Sequence, residues 1–481
     1  MQNVITNTTD TIAAIATPPG VGGIGVIRVS GVNAFILVLP LIQRSKGQIA
    51  VPASHQLTYV HIIDPTTQEV LDDVLVAFMH APHTYTREDV VEIQGHGGPL
   101  VLQRILRTVL TQGARMAQPG EFTLRAFLNG RIDLAQAEAV MDLIGAQTEA
   151  GQRLAVQQLR GRLSEQLQAA RHAILGVIAQ IEVSIDFPEE DVPTPETTVL
   201  HVLIKEAQQR IGQLLAGAEQ GRLYKQGLRT AIIGRPNVGK SSLLNALLRT
   251  DRAIVTPVAG TTRDTVEEVA NLRGVPLHLI DTAGITSTND AIEQIGVQRS
   301  RAAAEGADVV MLVFDGSEAL TEQDRAVCAE VHAMGFGSLA QTNITYTRTR
   351  PVIVVVNKAD HPQRIEMDEL QRLWPTSTLV HTSIRTGIGL PALEDALAEL
   401  VLAGKTVLSD SVLVTSVRHQ EALQRAADHL QASQLSLEQE LPLDFVSIDL
   451  RAAYEALGEV TGEVASDDLL DTIFSEFCIG K

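Results

Sequence analysis

Gly-Arg-Pro-Asn-Val-Gly-Lys-Ser, residues 234–241, stands between an apolar run from Thr230 to Ile233 and a helical stretch from Ser242 to Leu248. This is the GxxxxGK(S/T) phosphate loop in the strand–loop–helix setting that it requires. The two glycines let backbone N–H groups close around phosphates, so Asn237, Val238, Gly239, Lys240, Ser241 and Ser242 form the expected phosphate contacts. Lys240 is spaced to reach the terminal phosphates and Ser241 to ligate Mg²⁺. The segment therefore predicts a nucleoside triphosphate site on an open parallel sheet.

Three later motifs select the nucleotide. Asp281-Thr282-Ala283-Gly284 follows the apolar stretch Leu277–Ile280, which puts Asp281 at a strand's C-terminal end, where ligands bind in open parallel sheets. A carboxylate there can hold a water on Mg²⁺, and the Gly284 amide can meet a γ-phosphate. Asn357-Lys358-Ala359-Asp360 follows Val352–Val356, an uninterrupted β-branched run expected of a strand buried on both faces. Asp360 can accept from the ring N–H and amine of guanine, a donor pair that adenine lacks. Asn357 can bond the loop backbone or the base edge, and the Lys358 stem can lie on the ring. Ser383-Ile384-Arg385 suits the last base-contact loop. The order phosphate loop, Thr-rich switch, DTAG, NKAD points to GTP/GDP.

The hydrolytic side is less conventional. Where many small GTPases carry a water-orienting Gln after DTAG, this chain has Ile285. The loop Thr256, Pro257, Val258, Ala259, Gly260, Thr261 and Thr262 is expected to meet the nucleotide, with Thr262 as the Mg²⁺ ligand beside Ser241. Asn237 offers a neutral oxygen next to the phosphates. Together with backbone carbonyls of that loop it could cage a monovalent cation in place of an arginine finger, or it could simply satisfy the loop backbone. Glu293 reads on its own as an exposed helix carboxylate.

A chain of 481 residues should divide into two to four domains. With 45% hydrophobic residues and only 3% aromatic, its cores must be aliphatic. The lack of Lys or Arg before Arg28, the lack of an apolar run near ~18 residues and the two cysteines lead to the expectation of a cytoplasmic protein with no membrane span and no disulfide framework. A net charge of −19 argues against strong nucleic-acid binding by the chain alone. Residues 401–481 hold 14 acidic against 5 basic residues, a surface for solubility or for a basic partner.

The organisation expected is multidomain α/β. Residues 1–125 read as an α/β domain with strands at Ile12–Ala16, Ile24–Val29, Val74–Phe78 and Val90–Ile93 and a helix over Leu100–Leu110. Gly20, Gly22 and Gly25 match GxGxxG, but a strand follows instead of a helix, so no dinucleotide site is read there. A helical domain is expected in two segments, 126–225 and 403–481, with a Ras-like P-loop GTPase domain, 226–402, inserted between them. The spacing of Leu159, Leu163, Leu167, Ala170, Ile174, Ile178, Ile181 and Ile185 predicts one long amphipathic helix. A second is expected from about Glu196 to Glu219, with Arg222 and Lys225 leading into the phosphate-loop strand, and Met334–Arg350 reads as a polar surface insertion.

Beyond these motifs, the segments Ala16 to Gly31 (ATPPGVGGIGVIRVSG), Glu88 to Pro99, Pro119 to Val140, the GTTRD loop and the terminal Phe477-Cys478-Ile479-Gly480-Lys481 resemble the MnmE (TrmE) family of tRNA-modification GTPases over essentially the whole chain. The resemblance implies a K⁺ site at Asn237, Thr256, Val258 and Thr261, Mg²⁺ ligands at Ser241 and Thr262, and a water-organising role for Glu293. It implies that the N-terminal domain is a tetrahydrofolate-binding and dimerisation module, taking 5-formyl- or methylene-tetrahydrofolate at Arg28, Glu92, Arg131 and Lys481. It further implies a homodimer that joins a FAD-dependent partner (MnmG/GidA-like) in a heterotetramer or larger complex. That complex would place an aminomethyl or carboxymethylaminomethyl group on C5 of the wobble uridine of tRNA. Many relatives carry Arg where this chain has Thr286, a role left vacant or filled by Arg263. An Era/Der-like ribosome-assembly switch is the alternative, and it would need a basic RNA-binding domain. Cys478 reads either as a small residue helping Phe474 and Phe477 to dock the last helix or as a thiol favoured as thiolate by Lys481, with a part in the modification.

Overall fold

The computed structural model describes residues 10–43, 53–186, 196–250, 268–281, 306–337, 350–402 and 413–481. It divides into two compact units. The first comprises Met1–Met141, Gln158–Gln208 and Arg425–Lys481, and the second comprises Asp142–Gln157 and Gln209–Gln424.

The first unit is organised by a sheet of β1 (Ile12–Ile15), β2 (Gly22–Ser30), β3 (Ile42–Gln43), β4 (Gln56–Ile63), β5 (Val70–Met79), β6 (Val90–Gly97) and β7 (Arg115–Met116). Their order is β3-β4-β5-β6-β2-β1-β7, antiparallel except where β7 joins β1. The alternation in β2 drives Ile27 and Val29 to one face, and Val91 and Ile93 on the neighbouring β6, with Val76 and Phe78 on β5 beyond it, join them in the core. The apolar side of the helix Pro99–Thr111, through Leu102, Ile105, Leu106 and Val109, covers that face. Each such fully buried aliphatic side chain stabilises the unit by ~1.5–3 kcal/mol. The expected strands and helix are present. The strand β4 was not foreseen, because its apolar residues Leu57, Tyr59, Val60, Ile62 and Ile63 occupy both faces, Leu57 and Tyr59 being exposed.

The predicted long helix is shorter than its apolar stripe. Leu163, Leu167, Ala170, Ile174, Ile178 and Ile181 are buried along one face of Arg162–Asp186, which packs on Leu443–Thr461. Leu159 instead ends a separate helix, Glu149–Leu159, because Gly161 takes φ +83 between the two. Ile185, at the far end, is 39% exposed. The second predicted helix is likewise two, Thr197–Ala216 and Ala218–Gln226, the latter beginning after Gly217. Arg222 and Lys225 therefore sit on a helix, where Lys225 pairs with Asp142 at 2.7 Å.

The second unit holds β8 (Leu228–Ile233), β9 (Glu268–Leu272), β10 (Val275–Asp281), β11 (Val309–Asp315), β12 (Val352–Asn357) and β13 (Thr378–His381) in the order β13-β12-β11-β8-β10-β9. All neighbours are parallel except β9, which forms an antiparallel edge on β10. β11 and β12 are buried throughout, as their unbroken apolar runs require. Val309, Met311 and Val313 enter one core and Val310, Leu312 and Phe314 the other. Of the expected surface insertion, 338–349 lie outside the described residues, while Phe336 at its start is fully buried under the Arg350 guanidinium.

Candidate functional sites

In the second unit the phosphate loop leaves β8 and enters the helix Lys240–Thr250, so residues 234–241 lie at the C-terminal edge of the parallel strands. The chain turns through Asn237 at φ 67 and Gly239 at φ +105. A Cβ at Gly239 would stand 2.3 Å from Nδ2 of Asn357, so only glycine fits where the two motifs touch. Asn357 Nδ2 donates to the carbonyl of Val238 at 2.8 Å and is buried. Asn357 therefore bonds the loop, one of the two roles open to it in the sequence. Lys240 Nζ donates to the carbonyls of Gly234 and Arg235, both at 2.8 Å, which lays the ammonium across the mouth of the loop.

The same edge gathers the other motifs. Asp281 closes β10 and registers with Ile232, two positions before the loop. Asn357 closes β12 and registers with Asp315, the last residue of β11. Thr382 and Ala359 link the base loops through the bonds Thr382 N–H to Val356 O (2.8 Å) and Ala359 N–H to Thr382 O (3.0 Å). Ser383, itself buried, donates its hydroxyl to Asp360 Oδ1 at 2.8 Å, and that bond holds the Asp360 carboxyl below the usual carboxylate range. Asp360, its Oδ2 3.6 Å from His361 Nε2, is thus ionised and oriented, as an acceptor for guanine donors must be. Ile384 lies against Gly239, its Cδ1 3.5 Å from a Cβ built there, and Arg385 is exposed. Ser241 and Ser242 are exposed on the first turn of the helix.

The residues expected to complete this site, Thr256, Pro257, Val258, Ala259, Gly260, Thr261, Thr262, Thr282, Ala283, Gly284 and Glu293, lie outside the described residues, as do Arg263, Ile285 and Thr286.

A second constellation forms in the first unit. Arg28 on β2 and Glu92 on β6 are opposite one another and paired at 2.9 Å. The Arg28 guanidinium lies 5.4 Å from the Tyr85 ring centre and 5.6 Å from that of Phe122. Arg131 comes within 4.9 Å of the Tyr85 ring and donates to the Tyr85 carbonyl at 3.1 Å. Tyr85 OH pairs with Thr123 Oγ1 at 2.9 Å. The chain's end closes the group. Ile479 bridges Pro119, and Gly480, at φ +94, passes so close to β1 that a Cβ there would lie 2.5 Å from the Ile15 carbonyl. Lys481 is pushed below the ordinary lysine range by burial and by the Arg28 guanidinium, against the pull of Cys478 and Glu92. Arg28 and Glu92 thus pair across distant strands, Lys481 from the end of the chain lies within electrostatic reach of both, and Arg131 shares the Tyr85 ring with Arg28.

Sequence reasoning missed Tyr85, the ring between two guanidiniums. Its neighbourhood, Thr84-Tyr85-Thr86-Arg87-Glu88-Asp89, carries no periodicity, and a single aromatic in a short connection gives no signal of its own. Cys478, by contrast, is exposed, while Phe474 and Phe477 are buried with Leu124, Leu134 and Leu470. The packing reading fits the two phenylalanines and not the cysteine.

Among the described residues no helix is long and apolar enough to cross a membrane.

The family model described as the MnmE helical domain matches residues 134–478, and that described as the GTP-binding protein TrmE N-terminus matches residues 11–131. The chain is 47% identical over 475 residues to the tRNA modification GTPase MnmE of Alkaliphilus oremlandii, covering 98% of this chain and 99% of that protein. It is 47% identical over 482 residues to the protein of the same description from Ligilactobacillus salivarius, with 100% of both covered. The corresponding protein of Lactiplantibacillus plantarum is 48% identical over 475 residues, 98% of each.

Proposed function

The chain belongs to the MnmE family, and from that premise we propose that it is a K⁺-activated GTPase that modifies C5 of the wobble uridine of tRNA. The observation that carries the reading is the pairing of two chemically distinct sites in one chain. One unit gathers a phosphate loop and a guanine-type carboxylate at one sheet edge, and the other gathers Arg28, Glu92 and Lys481 from three distant segments.

The second donor set fits a folate. Guanidiniums at Arg28 and Arg131 suit glutamyl carboxylates, Glu92 suits pterin N–H groups, and Tyr85 offers an aromatic face. A bound methylene-tetrahydrofolate, or a 5-formyl relative, supplies the one-carbon unit. The chain acts as a homodimer with a FAD-dependent partner, in a heterotetramer or larger complex with tRNA, and installs an aminomethyl or carboxymethylaminomethyl group. In the nucleotide site Ser241 and Thr262 hold Mg²⁺, and Asn237 with Thr256, Val258 and Thr261 holds K⁺. Glu293 organises the attacking water, a role left open by the apolar Ile285. The domain limits 1–125, 126–225, 226–402 and 403–481 are part of this reading, as is a cytoplasmic location.

Mass spectrometry of tRNA nucleosides from a deletion strain tests it. The C5-modified uridine should be absent, restored by the intact chain and left absent by Lys240→Ala. GTP turnover measured in parallel should be much faster in K⁺ than in Na⁺ at equal ionic strength. Modified uridine persisting in the deletion strain would overturn the function, and equal rates in both salts would overturn the cation site.

A further inference from the structure

Asp315 ends β11 and carries a carboxylate that is only 3% exposed, beside the base-binding motif yet with no role in the reading above. Its two oxygens are divided between two tasks. Oδ1 accepts the Ser317 backbone N–H at 3.0 Å and the Ser317 hydroxyl at 2.6 Å. Oδ2 takes the ammonium of Lys358 in an ion pair. The two loops are further joined by Gly316 N–H donating to Asn357 O at 2.8 Å.

Lys358 itself stands at φ 63, in the left-handed region that a residue with a Cβ rarely adopts. Such a conformation persists where its surroundings over-determine it. Here the surroundings are Asp315 at the end of the side chain and the Val356 to Ala359 backbone bonds at its base. A lysine stem is among the most mobile side chains, and ordering it against a ligand ordinarily opposes binding. With the ammonium tied to a buried carboxylate, the stem is ordered before any base arrives.

We propose that Asp315 is a positioning residue for guanine nucleotide binding, pinning the Lys358 ammonium so that the lysine stem is held in place for the base and release is slow. The inference rests on the guanine-nucleotide reading of this unit. It assigns Asp315 no contact with the nucleotide.

Stopped-flow release of a fluorescent N-methylanthraniloyl GDP from the full chain tests it. Asp315→Asn keeps the Oδ1 acceptor for Ser317 and removes the charge facing Lys358. It should speed release by about tenfold, the scale of one long side chain losing its pre-ordering. Lys358→Met, which keeps the stem and loses the ammonium, should speed release as well. In the Lys358→Met background Asp315→Asn should then change little, because the two groups act as one unit. A merely structural Asp315 would instead give effects that multiply. Release by Asp315→Asn within twofold of the unaltered chain, or multiplying effects, would overturn the proposal. Where Asp315→Asn gives no folded protein, Asp315→Glu, which shifts the charge by one methylene, carries the same comparison with the same two outcomes. Failure of the unaltered chain to bind the GDP probe at all would count against the nucleotide reading itself and remove the basis of the proposal.

Discussion

Arg28 and Glu92 face each other across β2 and β6, and the guanidinium gives both Nε and Nη2 to one carboxylate oxygen, at 3.0 and 2.9 Å. Both side chains are about a fifth exposed, and a partly solvated pair of this kind contributes little to stability. Its value lies in orientation, since the carboxylate fixes the guanidinium within reach of the Tyr85 and Phe122 rings.

Arg28→Ala should therefore abolish binding of 5-formyltetrahydrofolate, read by calorimetry, while leaving GTP turnover and the melting temperature close to those of the unaltered chain. Glu92→Gln should weaken folate binding less, because an amide oxygen still accepts from the pterin. A melting temperature that fell sharply in both variants would mark the pair as structural.

Asp360→Asn addresses the base. The Ser383 hydroxyl already holds Asp360 Oδ1, which keeps the carboxylate ionised and oriented. Losing hydrogen bonds to a charged acceptor costs roughly 1.5–3 kcal/mol each, so GTP affinity should fall by about 10- to 100-fold. Xanthosine triphosphate, whose base offers an acceptor where guanine offers the amine, should gain. Competition binding with the two nucleotides measures the switch, and unchanged preference would contradict the assignment of Asp360.

The ion network around Arg125 gives a pH dependence with a definite sign. Arg125 is 2% exposed and meets Asp10, Glu88 and Glu121. Burial opposes charge on Asp10 and Glu121, but the Arg115 and Arg125 guanidiniums overcome it and hold both carboxyls below their ordinary range. Groups with a depressed folded pKa stabilise above their unfolded pKa, near 4, and that contribution is lost as pH falls through the folded value. Glu88 has the opposite sign, because burial raises it, against Ser30 and Arg125. Glu88 acts only above its ordinary range, gaining stability as pH falls toward that range, so below about 4 the two depressed carboxyls alone set the sign and the melting temperature of the first unit should drop as pH is lowered further. Arg125→Ala should cost about 3–5 kcal/mol at neutral pH by stranding buried charge, and should flatten the acid limb. Thermal melts of both chains from pH 7 downward check it.

The parts of the fold that the sequence discloses are those fixed by local pattern. β11 and β12 are unbroken apolar runs, and the phosphate loop is decided by glycine and lysine at fixed spacing. β9 escaped because its hairpin to β10 turns on Arg273 and Gly274, both at positive φ, and Arg at the first position conceals a turn that Asn or Asp would announce. The break at Gly161 escaped because one glycine within a sustained apolar stripe costs a helix little on its own. Tertiary bonding decides it, with Gln136 Nε2 taking the Leu159 carbonyl at 3.0 Å. Among the candidate site residues, Arg28, Glu92 and Lys481 were legible only through resemblance, since 389 positions separate Glu92 from Lys481 and no spacing rule spans that. Tyr85 was not legible at all.

The tail that carries Cys478 is pinned by backbone on both sides, Gly120 N–H reaching the Cys478 carbonyl at 3.5 Å and Ile479 bridging Pro119. Lys481 N–H also donates to that carbonyl at 3.3 Å. The side chain is nonetheless exposed, with Phe474 and Phe477 supplying the burial. A held backbone presenting an exposed thiol within electrostatic reach of Lys481 suits a group that meets a substrate or intermediate, and gives the sulfur no packing duty to lose. Cys478→Ser should therefore leave the melting temperature, folate binding and K⁺-stimulated GTPase activity intact while the modified wobble uridine disappears. Gly480→Ala, in contrast, should disturb the tail itself, because its Cβ would strike the Ile15 carbonyl, and should weaken folate binding too. Nucleoside mass spectrometry of strains carrying each variant as the sole copy separates the two. Normal levels of modified uridine in the Cys478→Ser strain would leave the thiol with no part in the chemistry.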